Sequence, residues 1–385
     1  MILGWKSKRR SPVLSHFLMT SRFRFAIISD PHIALSHTIW DNPHRFHLVE
    51  VSIPALEQAL ADLATAELDF LLLPGDLTQH GEWENHQWLV QRLAQLPYPV
   101  YVVPGNHDII ARDAEKHAIG LRDFPQLYAP FGFAGDRPYY ASQILPGVRL
   151  IGLNSIAFDD DGAQLPTGWL DAAQLRWLAE TLETVGDDLV LVMVHHNVVE
   201  HLPGQARHGM GKRYMLQNSA DLLNLLEPAG VRLIFTGHLH VQDVAQRGAI
   251  YEITTGSLVS YPHPYRVLTA VQQEAGNWQL EIDTTRVEAV SGWDDLQTYS
   301  RDWMGDRSFS FMHRLLTLPP LTLADADAAA IAPHLRHFWA DIAKGDAWFD
   351  FHHLPPAVHQ FLRRFSALDA AGNYHPIDNQ TSLRL

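Results

Sequence analysis

Five times along this chain a run of apolar residues stops at a short turn that carries Asp, Asn or His. The turns read Asp30-Pro31-His32, Gly75-Asp76, Gly105-Asn106-His107-Asp108, His195-His196 and Gly237-His238-Leu239-His240. A continuous apolar run of strand length bounded by turn residues signals a strand buried on both faces. Such strands belong to parallel sheets covered by helices. The repetition therefore places all five turns at the carboxyl ends of neighbouring strands, where open α/β sheets build their sites. The side chains offered are hard or borderline donors, suited to divalent first-row metals.

The segments between the turns agree. Phe23–Ser29, Asp69–Leu73 and Pro99–Val103 read as three strands. Leu56, Leu60 and Leu63, then Leu89, Leu93 and Leu96, are the inner stripes of the intervening helices. Pro54 sits in the first turn of its helix, where a missing N–H costs nothing. Serial β–turn–α units imply parallel strands with right-handed crossovers. Tyr139–Ser142 and Val148–Leu153 flank a Pro-Gly turn, and Leu175, Leu178 and Leu182 form one face of a helix begun by Asp171. Leu189–Val194 and Val231–Phe235 are further buried strands, with a helix over 220–226 between them. Ile250–Thr255, Arg266–Val271 and Trp278–Asp283 alternate as antiparallel strands do. Two facing sheets with helices outside account for this order.

Beyond residue 290 strand signals nearly vanish. Ile331, Leu335, Phe338 and Ile342 follow helical spacing, as do Val358, Phe361, Leu362 and Phe365. We divide the chain into an N-terminal tail at 1–20, a main domain at 21–289 and a helical appendage at 290–385. The appendage packs on the main domain or on a second copy, which leaves a homo-oligomer open. The tail has the basic start of a signal peptide but a short, His-interrupted apolar stretch, so it reads as disordered, or as an over-long start with Met19 as initiator.

A net charge of −14 argues against extended nucleic acid, which needs a basic face. There are no cysteines, which excludes disulfides, thiolate zinc sites and cysteine nucleophiles and agrees with a cytoplasmic location. No apolar run reaches membrane-spanning length.

In this order the five blocks resemble the calcineurin-like metallophosphoesterase superfamily, over roughly residues 21–285. The resemblance implies an α/β fold (an α+β sandwich) of two facing mixed β-sheets flanked by helices, with a dinuclear metal site at their edge. It implies that Asp30, His32, Asp76 and His240 hold one ion, that Asp76, Asn106, His195 and His238 hold the other, and that Asp76 bridges them. A shared carboxylate and a shared hydroxide screen the repulsion of two divalent ions, and that hydroxide is the expected nucleophile at phosphorus. His107 is expected as a catalytic residue that stabilises phosphoryl charge or protonates the leaving oxygen. Asp108 is expected either to orient it or to cap the following turn. Mn, Fe and Zn all suit this donor set.

The block Gly75-Asp76-Leu77-Thr78 lacks the Asp-Arg-Gly pattern of the protein serine/threonine phosphatases. It is more like bacterial class III cyclic-nucleotide phosphodiesterases and related glycerophosphodiesterases. The expected activity is hydrolysis of a small phosphodiester, cyclic-nucleotide-like. The alternatives are a phosphomonoesterase or nucleotide pyrophosphatase, a nuclease, and a silent scaffold, the last disfavoured because every ligand position is filled. Asn197 stands where those relatives usually carry proline, so the loop beyond it is expected to differ. His196, His80 and His208 are expected to touch substrate. His44, His47, His201, Arg207, Arg213, Tyr261 and His263 are weaker loop candidates. Trp40, Trp83 and Trp169 read as cover for the core, and Trp339, Trp348, Phe349 and Phe351 as packing anchors of the appendage.

Overall fold

The computed structural model describes residues 22–40, 42, 45–273 and 276–385; Met19 and His44 lie outside the described residues. Among the described residues twelve strands form two six-stranded sheets. The first sheet contains β1 (Arg22–Ile27), β2 (Phe70–Leu73) and β3 (Val100–Val102). The second begins with β4 (Tyr140–Leu145), β5 (Val148–Gly152), β6 (Leu189–Met193), β7 (Leu233–Thr236), β8 (Asp243–Arg247) and β9 (Ile250–Thr254). The chain then returns to the first sheet with β10 (Pro264–Gln272), β11 (Trp278–Arg286) and β12 (Gln380–Arg384). The strand orders are β12-β11-β10-β1-β2-β3 and β4-β5-β6-β7-β9-β8. β1, β2 and β3 run parallel, as do β5, β6, β7 and β9. β10, β11 and β12 pair antiparallel beside β1.

The helices are α1 (Ser52–Leu63), α2 (Trp83–Leu93), α3 (Asp123–Leu127), α4 (Ala172–Leu182) and α5 (Ser219–Leu226), then α6 (Leu296–Asp306), α7 (Phe309–Thr317), α8 (Asp325–Ile331), α9 (Phe338–Ala343) and α10 (Pro356–Arg363). Leu56, Leu60 and Leu63 of α1 and Leu89 and Leu93 of α2 are buried in the same cluster as the first sheet. Asp171 caps α4 by accepting the Gln174 N–H at 2.7 Å. The two sheets meet through aromatic side chains. Phe25 of β1 stacks on Phe70 at 4.8 Å and meets Phe235 of β7 edge-on at 5.6 Å. Along β7 the period of two is visible: Leu233 and Phe235 join this inner core, while Ile234 joins the outer cluster with Leu222 and Leu226 of α5.

The region past 290 differs from the sequence reading in two respects. It ends in a strand, β12, paired with β11 at the edge of the first sheet. The stretch from Ile331 to Ile342 is two helices, because Pro333 interrupts the ladder and a 3-10 turn (Ala332–Leu335) stands between them. Of the two packings expected for it, the structure shows the one on the main domain: Leu239 and Val241, in the segment between β7 and β8, share one apolar cluster with Met312, Leu316, Phe338 and Leu362. Trp348 is 47% exposed rather than an anchor, and Trp40, Trp83 and Trp169 are likewise exposed. Among the described residues no helix is long and apolar enough to cross a membrane.

Arg266 is the largest fully buried side chain and ties three parts together. From β10 it donates to the Thr254 carbonyl of the second sheet at 2.9 Å, to Thr284 Oγ1 at 3.2 Å and to the Asp378 carbonyl just before β12. Replacing it leaves several buried acceptors without donors. Arg266→Met should lower the unfolding free energy in urea by about 2–5 kcal/mol; a loss below about 1 kcal/mol would show that the tie is incidental.

Candidate metal centre

All five ligand-bearing turns meet at one edge of the sandwich. Asp30 and His32 follow β1, Asp76 follows β2, Asn106 and His107 follow β3, His195 follows β6, and His238 and His240 follow β7. The turns are laced by backbone bonds: His32 N–H donates to the Asp76 carbonyl at 3.0 Å, and Gly237 N–H to the His195 carbonyl at 3.2 Å. The Asp30 carboxylate crosses between sheets to accept the His238 N–H at 3.1 Å, and Asp76 Oδ1 accepts the His107 N–H at 2.8 Å.

Five of these residues have left-handed backbones: Asp30 (φ 48°), His32 (φ 39°), Asp76 (φ 48°), His238 (φ 65°) and His240 (φ 56°). Asp and His tolerate that region better than most side chains, but each such residue still stores strain. The neighbouring glycines permit the crowding. A Cβ on Gly237 would lie 2.3 Å from Asp30 Oδ2, and one on Gly105 2.1 Å from the Asp76 nitrogen.

The donor set fits divalent cations. His195 Nδ1 lies 2.8 Å from the Pro74 carbonyl, which only accepts, so Nδ1 carries the proton. His238 Nε2 is tied in the same way to the Arg213 carbonyl at 3.3 Å. The remaining ring nitrogens, His195 Nε2 and His238 Nδ1, therefore face each other as lone pairs 3.1 Å apart. Asn106 Oδ1 at 3.1 Å and Asp76 Oδ2 at 3.3 Å close on the same His195 atom. Four acceptors converge where a donor or a cation must stand. The second group is similar: His32 Nε2 is 3.3 Å from His240 Nε2 and 3.7 Å from Asp76 Oδ2, and His240 Nε2 is 3.2 Å from Asp30 Oδ1. Asp76, 1% exposed, belongs to both groups.

The electrostatics agree. Burial pushes the His195 imidazole down, yet the Asp76 and Asp30 carboxylates override it and hold it up at about 9. Burial would raise Asp76, but His195 and His107 hold it well below the usual carboxylate range. A proton on His195 thus occupies the place of a cation, and metal binding displaces such protons.

The structure also brings in His47, a weak candidate from sequence. Its ring stacks on His32 at 4.6 Å with 7° between planes, and its ligand atoms reach those of His32 and His240. Burial and the neighbouring His240 hold it well below the usual imidazole range. It sits on the long connection between β1 and α1, where no spacing rule singles it out.

His107 lines the cleft over these groups, with Nδ1 donating to the Gln79 carbonyl at 2.6 Å. Asp108 does not face the cleft. Its Oδ1 accepts the Thr78 N–H at 2.9 Å and its Oδ2 the Gly105 N–H at 2.8 Å, which braces the turns after β2 and β3. His80 lines the cleft between His107 and Trp40, with ring centroids at 5.1 and 4.3 Å. His196 also lines it, held by Ser155 Oγ at 2.8 Å. Arg213 lies on the cleft rim over the Tyr214 ring. His208 and Arg207 line a separate cavity, and His263 is buried against the Leu258 carbonyl.

Asn197 explains the departure after His195-His196. Its Nδ2 donates to Thr236 Oγ1 at 3.0 Å and reaches the Gly237 carbonyl at 3.4 Å, tying the two histidine turns together. Behind it, Glu252 is wholly buried and accepts the Val198 N–H at 2.9 Å and the Thr236 hydroxyl at 2.8 Å. His201 Nε2 lies 2.9 Å from Glu252 Oε1, close enough to pair though out of line for a directed hydrogen bond, while its Nδ1 bonds Asp243 at 2.6 Å. Proline at 197 would remove the amide that links the turns.

Residues 23–242 match the family model described as calcineurin-like phosphoesterase, and the chain belongs to that family. It is therefore a metal-dependent phosphoester hydrolase, in a class built on a dinuclear centre. The chain is 27% identical over 231 residues to a 3′,5′-cyclic-nucleotide phosphodiesterase from Nostoc, covering 58% of this chain and 77% of that protein. It is 28% identical over 237 residues to a 3′,5′-cyclic adenosine monophosphate phosphodiesterase from Haemophilus influenzae, covering 61% and 72%. A glycerophosphodiester phosphodiesterase from Enterobacter lignolyticus matches at 29% over 174 residues, covering 45% and 56%. Among solved structures, a dimetal phosphatase from Danio rerio shares the fold, with a TM-score of 0.52 at 16% identity over 69% of this chain and 96% of that one.

The His201 environment makes a pH prediction. Burial lowers this imidazole, but Glu252 and Asp243 raise it to about 10, against about 6.5 in an unfolded chain. A raised folded-state value means its contribution is complete below pH 6.5 and lost as pH rises toward 10. His201→Gln should lower Tm at pH 6, and the gap to the parent should shrink steadily by pH 10. A gap that stays constant across this range would mean that His201 is not charged in the folded protein.

Proposed function

We propose that this protein is a phosphodiesterase for small phosphodiesters, with Asp30, His32, Asp76 and His240 holding one divalent ion and Asp76, Asn106, His195 and His238 the other. The observation that carries the reading is the convergence of carboxylate, carboxamide and imidazole ligand atoms on both sides of Asp76. Mn, Fe or Zn fits these donors. When bound, two such ions polarise phosphoryl oxygens and lower the pKa of water toward neutrality.

The chain's own residues do the rest. Asp76 anchors both groups and is fixed in turn by the His107 N–H. His107 has its Nδ1–H committed to Gln79, so Nε2 faces the substrate, and in the imidazolium form its N–H donates to the phosphoryl group or passes its proton to the leaving oxygen, leaving the ring neutral. Asp108 acts as a positioning residue through the backbone of Gly105 and Thr78. His80, His196 and Arg213 contact substrate from the cleft walls. Diester preference is supported by room beyond the ligands. The cleft has a volume of about 370 Å³ and is walled by Trp40, Tyr214, Phe311 and Trp339, enough for a second ester arm. The cyclic-nucleotide and glycerophosphodiester phosphodiesterases among its relatives point the same way.

Bis(p-nitrophenyl) phosphate should be cleaved faster than p-nitrophenyl phosphate by protein stripped of metal and reloaded with Mn²⁺. The reverse order would make it a phosphomonoesterase, and no turnover of either with metal bound would sink the enzymatic reading. Asp76→Ala should lose both ions by elemental analysis. His107→Ala should keep them while turnover falls about 10²–10⁴-fold; full activity of His107→Ala on an alkyl leaving group would remove its assigned role.

A further inference from the structure

A second cavity, of about 330 Å³, lies against the metal cleft. Tyr214, Phe311 and Trp339 line both spaces. Its wall comes from two parts of the chain: the 202–214 loop, which supplies Leu202 and Met210, and the C-terminal helices, which supply Leu315, Phe338 and Phe361 from α7, α9 and α10. These side chains belong to the apolar cluster that holds Leu239, the residue between His238 and His240. The cleft itself is different in character. It presents Asp76, Asn106, His107, Arg213 and several imidazoles.

We infer that this chamber receives an apolar arm of the phosphodiester, so that the substrate class is an amphiphilic diester carrying an aliphatic or aryl group rather than a compact cyclic one. The inference rests on the phosphodiesterase reading and adds its specificity. A phosphate diester held at the ligands has two ester arms. One is covered by the polar cleft beside His107 and His80. The other extends on the side of Tyr214, Phe311 and Trp339, which also line a space whose walls hydrate poorly. Water in such a space gains few hydrogen bonds, so an apolar group displaces it favourably. The chamber is within the size range of small-ligand pockets. Arg207 and Arg364 also border the chamber, as flanking cations on a mainly apolar lining.

The test is a series of alkyl p-nitrophenyl phosphates, from methyl to octyl, with Mn²⁺-loaded full-length protein. Water adds to phosphorus, the P–O bond to p-nitrophenol breaks, and the alkyl phosphate remains; absorbance of p-nitrophenolate reports the rate. KM should fall about three- to fourfold per methylene over the first few carbons. Met210→Glu, on the chamber wall, should abolish that dependence, and Met210→Leu should retain it. A KM that does not change with chain length, or a dependence that survives Met210→Glu, would overturn the inference. A second measurement separates this from failure of the reaction itself. Octyl phosphate should raise the Tm of the metal-loaded protein more than methyl phosphate does. If no diester is cleaved yet that difference appears and is lost in Met210→Glu, the chamber stands and the phosphodiesterase reading falls. If neither alkyl phosphate discriminates, the chamber falls.

Discussion

Asp76 is the residue on which the rest of the arrangement depends. Its carboxylate is nearly enclosed and belongs to both groups of imidazoles and carboxylates. An isolated buried carboxylate is costly, and a ring of further acceptors makes it more so. Oxygens and ring nitrogens within about 4 Å of one another, without donors, repel unless positive charge stands between them. The fold therefore has to hold this cluster against its own electrostatics. It does so with the backbone. Asp76 Oδ1 is pinned by the His107 N–H, Asp30 by the His238 N–H and the Ser29 hydroxyl, and His195 by the Pro74 carbonyl.

That requirement explains where strain collects. Among the described residues nine non-glycine positions have φ in the left-handed region, and five of them are candidate ligands. A strand that continued straight would keep residues i and i+2 on one face but hold them about 7 Å apart. Bending at once into the left-handed region turns Asp30 and His32, or His238 and His240, back toward one point. Left-handed residues cost on the order of 1–3 kcal/mol each when they are not glycine. Such a concentration persists because the sheets on either side over-determine it: parallel ladders fix the strand ends, and Gly75, Gly105 and Gly237 let the turns approach more closely than any Cβ allows. A cation at these atoms would offset the repulsion among the acceptors that the backbone otherwise sustains alone.

Much of this was legible in the sequence because it is local. A buried strand followed by an Asp or His turn can be read from a few residues, and five such readings in order define the sheets and the cluster together. What was not legible depends on long-range closure. His47 reaches His32 only because the connection from β1 to α1 folds back over the cleft, with the Leu48 N–H held by the Val259 carbonyl at 2.6 Å. β12 is five residues with little apolar content, and its partner β11 lies almost a hundred residues earlier. The exposed tryptophans mislead for a related reason: an indole can stack at a rim as well as cover a core, and Trp40 does so over His80. From its place beside His107, Asp108 could be read either as orienting that ring or as capping the turn, since adjacent residues on a turn need not share a direction. Its carboxylate is turned inward to two backbone donors.

The C-terminal region joins these points. Leu239 lies between two candidate ligands and is buried in a cluster made chiefly of C-terminal residues. The next turn is held as well, since the Gln242 N–H donates to the Ala343 carbonyl at 3.0 Å. Placing His238 and His240 toward the metals forces the intervening side chain to the opposite side. On that side an exposed leucine would sit beside a strained turn with nothing to fix it. The helices past residue 290 supply the missing apolar surface, and in doing so they bring Phe311 and Trp339 to the rim of the cleft. One packing requirement, the burial of Leu239, thus both steadies the turn that carries His238 and His240 and sets one wall of the cleft.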